Sequence, residues 1–414
     1  MARAAMGVPA PVVAVFSGGG TGGHLYPALA LADALTGLRP DVRPFFVGAQ
    51  RGLEARILPE KGLDHILVPV RGFERGAMRG RGGVLGGVLS ALGRALGVLD
   101  GLARSLAATG EAFSRLRPSL VVVTGGYAGG PAGLMAGLMG IPLALQEQNA
   151  WPGVTTRILS RWSRQVHLAF PEAVEALPRR ARSRTRVSGN PIRVPSPGDL
   201  PADAPRSAED RSHFGLAPAS RVVLVVGGSQ GARAVNGAAL EAVRGVAEGI
   251  LHRPKDLQLL WATGPRNQEE VEGELARLGS PAWVRALGYI HDMPRALRCA
   301  TLAVSRAGAM ATSEFLAWGV PSILVPLPTA AADHQAQNAE SLARAGAAVH
   351  LPEAELSGAS LWAAVTALLA APEELEAMRK ASLERGRPEA TRQIAEALAA
   401  LLPRPVNVTG GGPA

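Results

Sequence analysis

The sequence predicts an α/β protein of two Rossmann-like domains, each a parallel sheet covered by helices. Three observations predict this. Apolar, β-branched runs alternate with helical patterns from Val12 onward, the pattern of parallel strands covered on both faces. A strand–glycine loop–helix unit occurs twice, at residues 17–27 and again at 227–233. Between the copies, residues 194–213 are rich in Pro, Ala, Asp and Arg and read as a linker. Two such domains facing one another would enclose a cleft. The expected bounds are 1–190 and 191–385, followed by a terminal helix at 386–405 and a frayed tail at 406–414.

Residues 12–16 are apolar and read as a buried strand, and 28–35 carry the Ala and Leu of a helix. Between them stands Ser-Gly-Gly-Gly-Thr-Gly-Gly-His-Leu-Tyr-Pro, residues 17–27. A strand that breaks at glycines and opens into a helix points backbone N–H groups along the positive end of a helix dipole, which attracts phosphate. Glycines alone make a sharp turn, but five of them with Thr21 and His24 exceed what a turn needs, so an anion site is expected. A P-loop requires Lys-Ser/Thr after its last glycine, and here His24 and Leu25 follow. A dinucleotide site wants an acid at the end of the second strand, 43–47, which instead runs into Gly48.

A helix near 52–61 and a strand at 64–70 come next. Arg71, Arg75, Arg79 and Arg81 then lie among glycines, ahead of Val84, Leu85, Val88, Leu89, Leu92 and Leu96 at helical spacing. This is either a core-facing helix beside a basic loop or an apolar membrane-surface patch ringed by arginines. Strand 120–123 leads into Thr-Gly-Gly-Tyr, and strand 141–145 into Gln146-Glu147-Gln148-Asn149. That polar run either caps the next helix or meets a ligand past the strand's C-terminal end. In the second domain, strands are expected at 222–226, 257–263, 284–287, 302–305 and 322–325, the last clear one. Arg306 to Glu314 turns from strand to helix, and Asp333-His334-Gln335 follows the last strand.

The totals narrow the classes. A chain of 414 residues, 47% hydrophobic and 19% charged, can bury two cores. One cysteine, Cys299, rules out a disulfide framework and a Cys-based zinc site. No signal peptide and no spanning helix are expected. The formal charge of +9 is carried by arginine, since Lys61, Lys255 and Lys380 are the only lysines. Anionic partners follow, phosphate or a lipid surface. Nucleic acid does not, because aromatics are 4% and are not interleaved with basic residues.

No His or acid cluster has metal-ligand spacing, and no Asp-x-Asp is present to hold a divalent metal on a diphosphate. Gly227 to Gly231 matches the Gly-x-Ser-x-Gly of serine hydrolases, but it repeats the layout of the first loop, where Thr is embedded. A phosphate loop explains both copies. A leaving diphosphate would then be stabilised by N–H groups, a helix dipole and arginine, from 227–233, Arg193 and Arg306 with the helix after it.

Gly-Gly-Thr-Gly-Gly-His at 19–24, Glu-Gln-Asn at 147–149, Gly-Asn-Pro-Ile-Arg at 189–193, Gly-Gly-Ser-Gln-Gly-Ala-Arg at 227–233, Arg-Ala-Gly-Ala at 306–309 and Asp-His-Gln at 333–335 occur in this order. Together they resemble the MurG family of peptidoglycan N-acetylglucosaminyltransferases, glycosyltransferase family 28. The resemblance spans residues 12 to about 400. It implies the GT-B fold, with the acceptor in the N-terminal domain, UDP-N-acetylglucosamine in the C-terminal one, and a final helix crossing back to the first. It implies inverting transfer of N-acetylglucosamine to the muramyl 4-hydroxyl of lipid I, giving lipid II, with no cofactor and no metal.

By the same resemblance, Ile290 would present its backbone to uracil and Glu314 would take the ribose hydroxyls. Ser229 and Arg193 would contact the diphosphate. Asn149, Gln335 and the backbone at Ala309 would hold the sugar, with Met310, Ala311, Thr312 and Ser313 lining the donor site. Thr21, Gly22 and Gly23 would lie by the transferred sugar and acceptor pyrophosphate. His24 is the expected general base, a neutral imidazole being suited to take the alcohol proton. Its rival role is a hydrogen bond to the pyrophosphate. Gln146 stands where the family often has His, Ala307 where it has Ser, and the linker is long. Docking on the cytoplasmic face of an anionic membrane is implied, as are other cell-wall synthesis proteins as partners. Another UDP-sugar transferase acting on a glycolipid, and a non-catalytic nucleotide-sugar-binding subunit, remain open alternatives.

Overall fold

The computed structural model describes residues 11–70, 84–192, 208–228 and 232–404, apart from the side chains of 84–96, 98 and 99. The basic stretch 71–81, Arg193, Ser229 and the tail 406–414 lie outside it. The chain divides into two units. The first comprises 1–148, 152–191 and 389–414, and the second comprises 149–151 and 192–388.

The first unit holds seven parallel strands: β1 Val12–Ser17, β2 Val42–Ala49, β3 His65–Val68, β4 Leu120–Val123, β5 Leu143–Glu147, β6 Gln165–Leu168 and β7 Thr185–Val187. Their order is β3-β2-β1-β4-β5-β6-β7. β1 shows why its residues form a buried strand. Val13 and Val15 point into one core, with Phe45, Val121 and Ala132. Ala14 and Phe16 point into the other, with Leu25, Leu31 and Phe46. Successive residues alternate faces, and both faces are covered, so the strand reads as an unbroken apolar run. The second core also takes in Ala390, Ile394 and Leu398 of the helix Ala390–Ala399. Burial of side chains such as Ile394 and Leu398 contributes about 1.5–3 kcal/mol each, which ties the C-terminal helix into this unit.

The second unit holds β8 Arg221–Val226, β9 Leu257–Ala262, β10 Val284–Leu287, β11 Ala300–Ser305, β12 Ser322–Leu324 and β13 Ala348–His350, in the order β10-β9-β8-β11-β12-β13, all parallel. Buried Trp261 donates to Asn236 Oδ1 at 3.0 Å, and Asn236 donates to the Thr263 carbonyl at 2.8 Å. These bonds satisfy the buried indole N–H and the Asn236 amide.

Three boundaries differ from those expected. β13 follows β12, so 322–325 is not the last strand; its three residues are too few to show a period. β5 runs through Gln146 and Glu147, because they pair with His167 and Leu168 of β6. The helix Val84–Leu116 continues well past Leu96. Both readings offered for 71–96 concern side chains outside the described residues.

His167 on β6 is buried, with Nδ1 2.9 Å from Ser188 Oγ and Nε2 3.1 Å from Gln165 Oε1. Burial, then the nearby charge of Arg186, pushes its imidazole down to about 4. The unfolded chain therefore binds the extra proton between pH 6.5 and about 4, and stability is lost as pH falls through that window. His167→Gln is expected to remove up to about 3 kcal/mol of that acid sensitivity. Melting temperatures of both proteins from pH 4 to 7 check this, and parallel curves would clear His167.

Candidate functional site

In the first unit β1 and β4 are neighbours although β2 and β3 lie between them in sequence. Their C-terminal ends flank a switch point, where open α/β sheets bind ligands. Thr21, extended at φ −139° and ψ 160°, caps the helix Gly22–Leu38. The helix thus opens inside the glycine loop, six residues before 28, and places Gly22, Gly23 and His24 in its first turn. The amides of His24 and Leu25 both donate to the Thr21 carbonyl at 3.2 Å. Those of Gly22 and Gly23 occupy the first two helical positions, which have no intrahelical acceptor, and none among the described residues.

The anion pocket is narrower than the glycine count suggests. The Gly20 amide donates to both carboxylate oxygens of Glu54, at 2.9 and 3.1 Å, and the Ala49 amide to one of them at 3.2 Å. Glu54 is fully buried beneath the loop. One loop amide is therefore already matched to a carboxylate, while those of Gly22 and Gly23 stay open among the described residues.

His24 projects from this helix toward the residues after β4. Its Nδ1 lies 3.0 Å from the Thr124 carbonyl oxygen and 2.8 Å from Gln148 Oε1. A carbonyl oxygen only accepts, so Nδ1 carries the proton and Nε2 the lone pair. Nε2 has no partner among the described residues. Gly126, at φ +72°, closes against this ring: a Cβ there would lie 2.1 Å from the Gly19 carbonyl and 3.0 Å from the imidazole. Glu147 turns elsewhere, accepting from the Gly153 amide at 3.0 Å and from Thr156 Oγ1 at 2.6 Å.

In the second unit β8 and β11 stand at the corresponding switch point. Gly227 and Gly228 leave β8, with Gly228 at φ +83°; Ser229 and Arg193 fall outside the described residues. Arg306, after β11, donates to the carbonyls of Val325 and Pro326 at 3.2 and 3.1 Å and pairs with Glu353 at 2.5 Å. Through this one nitrogen, Nη1, it holds the segment after β12.

Gly308 caps the helix Ala309–Ala317. Met310, Ala311, Ser313 and Glu314 are half-buried, and Ala309 is buried. Thr312 is buried as well; its amide and hydroxyl return to the Gly308 carbonyl at 3.0 and 3.2 Å, and the hydroxyl also reaches the Ala309 carbonyl. Both of its donors are committed at the helix's first turn. The Glu314 carboxylate has no hydrogen bond or ion pair among the described residues, and burial pushes it up to about 7. An acceptor held so, at the edge of a site, marks a candidate functional group.

Ile290 follows β10 with its side chain buried, and its backbone amide and carbonyl have no partner among the described residues. Gln335 accepts from the Leu327 amide through Oε1 at 3.0 Å, which leaves Nε2 as a donor. Just before it, Ala332 and Asp333 adopt φ of +52° and +56°. Left-handed backbone at two non-glycine residues costs on the order of 1–3 kcal/mol each and concentrates at functional sites. Asn149 Oδ1 accepts from Asn338 Nδ2 at 3.2 Å. Fully buried Asn338 also donates to the Ala307 carbonyl at 3.1 Å and accepts from the Ala150 amide at 2.9 Å. Within this unit it joins residues 149–150 to the loop that opens the Ala309–Ala317 helix.

Glu54, Gln148 and Asn338 were not singled out for roles by the motifs. Each left a signal. Glu54 shares one helix face with Ile57 and Leu58, and Asn338 shares one with Leu342. A charged or amide side chain on an apolar stripe must find a buried partner.

Two family models match the chain: the glycosyltransferase family 28 N-terminal domain over residues 14–168 and the C-terminal domain over 222–395. A relative from Moorella thermoacetica is 40% identical over 391 residues, 93% of this chain and 97% of its own. It is named UDP-N-acetylglucosamine–N-acetylmuramyl-(pentapeptide) pyrophosphoryl-undecaprenol N-acetylglucosamine transferase. One of the same name from Salinibacter ruber is 40% identical over 387 residues, 94% of this chain and 96% of its own. The crystal structure of Acinetobacter baumannii MurG matches with a TM-score of 0.70 and 26% identity, over 94% of this chain and 100% of that one. The glycosyltransferase of kitacinnamycin shares the fold, at a TM-score of 0.64 and 18% identity, over 95% of this chain and 100% of that one. With two Rossmann-like parallel sheets, a glycine loop at the switch point of the first, and this identity over nearly its whole length, the chain belongs to glycosyltransferase family 28, in its MurG group.

Proposed function

We propose that this protein transfers N-acetylglucosamine from UDP-N-acetylglucosamine to the muramyl 4-hydroxyl of lipid I, with inversion, giving lipid II. The observation that carries the reading is His24: its Nδ1 proton is held by Thr124 and Gln148, which leaves the Nε2 lone pair to accept a proton, on the same helix turn as the open amides of Gly22 and Gly23. The relatives' printed name supplies the substrates. In this reading the first unit takes the acceptor. Thr21, Gly22 and Gly23 receive its pyrophosphate and the transferred sugar, and His24 Nε2 accepts the proton of the attacking hydroxyl. As the new bond forms at the anomeric carbon, the bond to UDP breaks and its electron pair leaves with the diphosphate.

The second unit takes the donor. Ile290 offers its backbone to uracil, and Glu314 accepts from the ribose hydroxyls. Asn149, Gln335 and the amide of Ala309 hold the sugar, with Met310, Ala311 and Ser313 around it. Ser229 and Arg193 contact the diphosphate.

The lipid of the acceptor stays in a bilayer, so the enzyme works at a membrane surface as a peripheral protein. No helix among the described residues is long and apolar enough to cross a membrane. Support comes from the first unit, where Leu138 (71% exposed), Val154, Ile158 and Trp162 are solvent-facing beside Arg157 and Arg161, and Trp162 packs over Gly137. Apolar side chains ringed by arginine suit an anionic leaflet, at roughly 1 kcal/mol per arginine near the surface.

UDP release by the purified protein, with lipid I or with diacylglycerol as acceptor, tests the reaction. Release only with lipid I is expected, and release with diacylglycerol, or none without another chain, overturns the reading. In the same assay, Leu138→Ser with Trp162→Ser should abolish sedimentation with anionic vesicles. Turnover of a short-chain, water-soluble lipid I analogue should persist.

A further inference from the structure

The site around His24 contains a feature that the resemblance assigns to no residue. Gln148 is 1% exposed, and its side-chain amide lies between His24 and three acceptors. Its Nε2 donates to the Thr124 carbonyl at 2.7 Å, to the Gln146 carbonyl at 3.2 Å and to Gln146 Oε1. With the nitrogen held there, Oε1 must face His24 Nδ1, which it meets at 2.8 Å. Gln146 is held in turn. Its Nε2 donates to Asn190 Oδ1 at 2.9 Å, and Asn190 Nδ2 donates to the Gln148 carbonyl at 3.1 Å. Gln146 and Asn190 are 1% and 2% exposed. Every polar atom of this chain of amides thus has an assigned direction, and the chain ends on one imidazole nitrogen.

We infer that Gln148, locked by Gln146 and Asn190, is a positioning residue that fixes His24 as the Nδ1–H tautomer and aims Nε2 at the acceptor. The inference rests on His24 acting as the base. Gln146, which stands where the family often has His, gives the network its character: an amide cannot titrate, so the direction of each bond stays the same at any working pH. The ionisable groups on the segments that meet at His24 are otherwise engaged. Glu54 is bonded to Gly20 and Ala49, Glu147 to Gly153 and Thr156, and Tyr127 donates to the Arg51 carbonyl at 2.7 Å. Among the described residues, Nδ1 meets only a backbone carbonyl and a side-chain amide oxygen.

Two measurements test this separately from the base assignment. The first is the ring-nitrogen correlation spectrum of 15N-histidine-labelled wild-type protein, with His24→Ala identifying the signal. A protonated Nδ1 and a bare Nε2 are expected, and the opposite tautomer overturns the inference without any variant having to fold. The second compares Gln148→Leu and Gln148→Glu. Gln148→Leu should lower kcat by about 10–100-fold, as expected for loss of alignment, with both KM values and UDP binding retained. Gln148→Glu sets a carboxylate against Nδ1–H, which favours the imidazolium, so the acid limb of kcat should move up by about one to three pH units. A limb that stays in place while the ring titration by NMR moves up means that Gln148 positions His24 but His24 is not the base. A ring titration that does not move overturns the positioning role itself.

Discussion

His24→Ala is expected to lower kcat by about 10²–10⁴, the usual contribution of a general base, with the KM for UDP-N-acetylglucosamine little changed. The attacking hydroxyl must lose its proton as the glycosidic bond forms, and Nε2 is the ring nitrogen that can take it. Nδ1 is already donating to the Thr124 carbonyl and Gln148. The acid limb of the kcat–pH profile, which reports protonation of the base, should vanish in the variant. Rates of UDP release at saturating lipid I across pH 5.5–9 provide the check. A variant that keeps kcat and its acid limb but needs far more lipid I would make His24 a hydrogen-bond donor to the acceptor pyrophosphate. The open amides of Gly22 and Gly23 would then be the centre of that anion site, and the base would be sought elsewhere.

Glu314 should show opposite effects on binding and on stability. An ionised carboxylate accepting two ribose hydroxyls makes charge-assisted bonds of about 1.5–3 kcal/mol each. Glu314→Ala is therefore expected to weaken UDP binding about tenfold or more by calorimetry. The same carboxylate is held up to about 7 by burial, against an ordinary 4.5. The folded protein thus binds more protons than the unfolded chain between those values, and the group's stability contribution is lost as pH rises through them. Glu314→Gln should raise unfolding stability above pH 7 by on the order of 1–3 kcal/mol and change nothing below about pH 4.5. UDP affinity should fall in that variant, most strongly at pH 8. Comparing it with wild type at each pH cancels the nucleotide's own titration. Unchanged UDP affinity would remove Glu314 from the ribose site, even if the stability gain were found.

Such a gain in stability at the expense of binding is what a functional carboxylate predicts. A group placed for packing alone would have been paired. Glu54 makes the contrast: fully buried, it accepts from Gly20 and Ala49, and it serves the loop rather than a ligand.

The alternation of apolar runs and the repeated glycine loop were enough to specify two parallel-sheet domains, because a strand covered on both faces leaves a run such as 120–123 with no polar interruption. The ordered motifs were enough to point to the family, since each carries a backbone or side-chain requirement that few other folds share. Element ends were less legible. β13 has three residues, and β5 gained Gln146 and Glu147 only because β6 offered them partners. Local sequence does not encode which strand will lie alongside. For the same reason the directions of the polar groups were hidden. Arg306 and Thr312 carry donors that suit a phosphate or a sugar, yet Val325, Pro326 and Glu353 claim one guanidinium nitrogen of the first and the turn at Gly308 takes the hydroxyl proton of the second. Donor type is written in the residue, but which acceptor lies within 3 Å is set by packing between segments distant in the chain. His24 shows both halves. Its place after the glycines was readable, whereas the tautomer depends on Thr124 and Gln148, 100 and 124 residues away, brought to one nitrogen by the pairing of β1 with β4 and of β4 with β5.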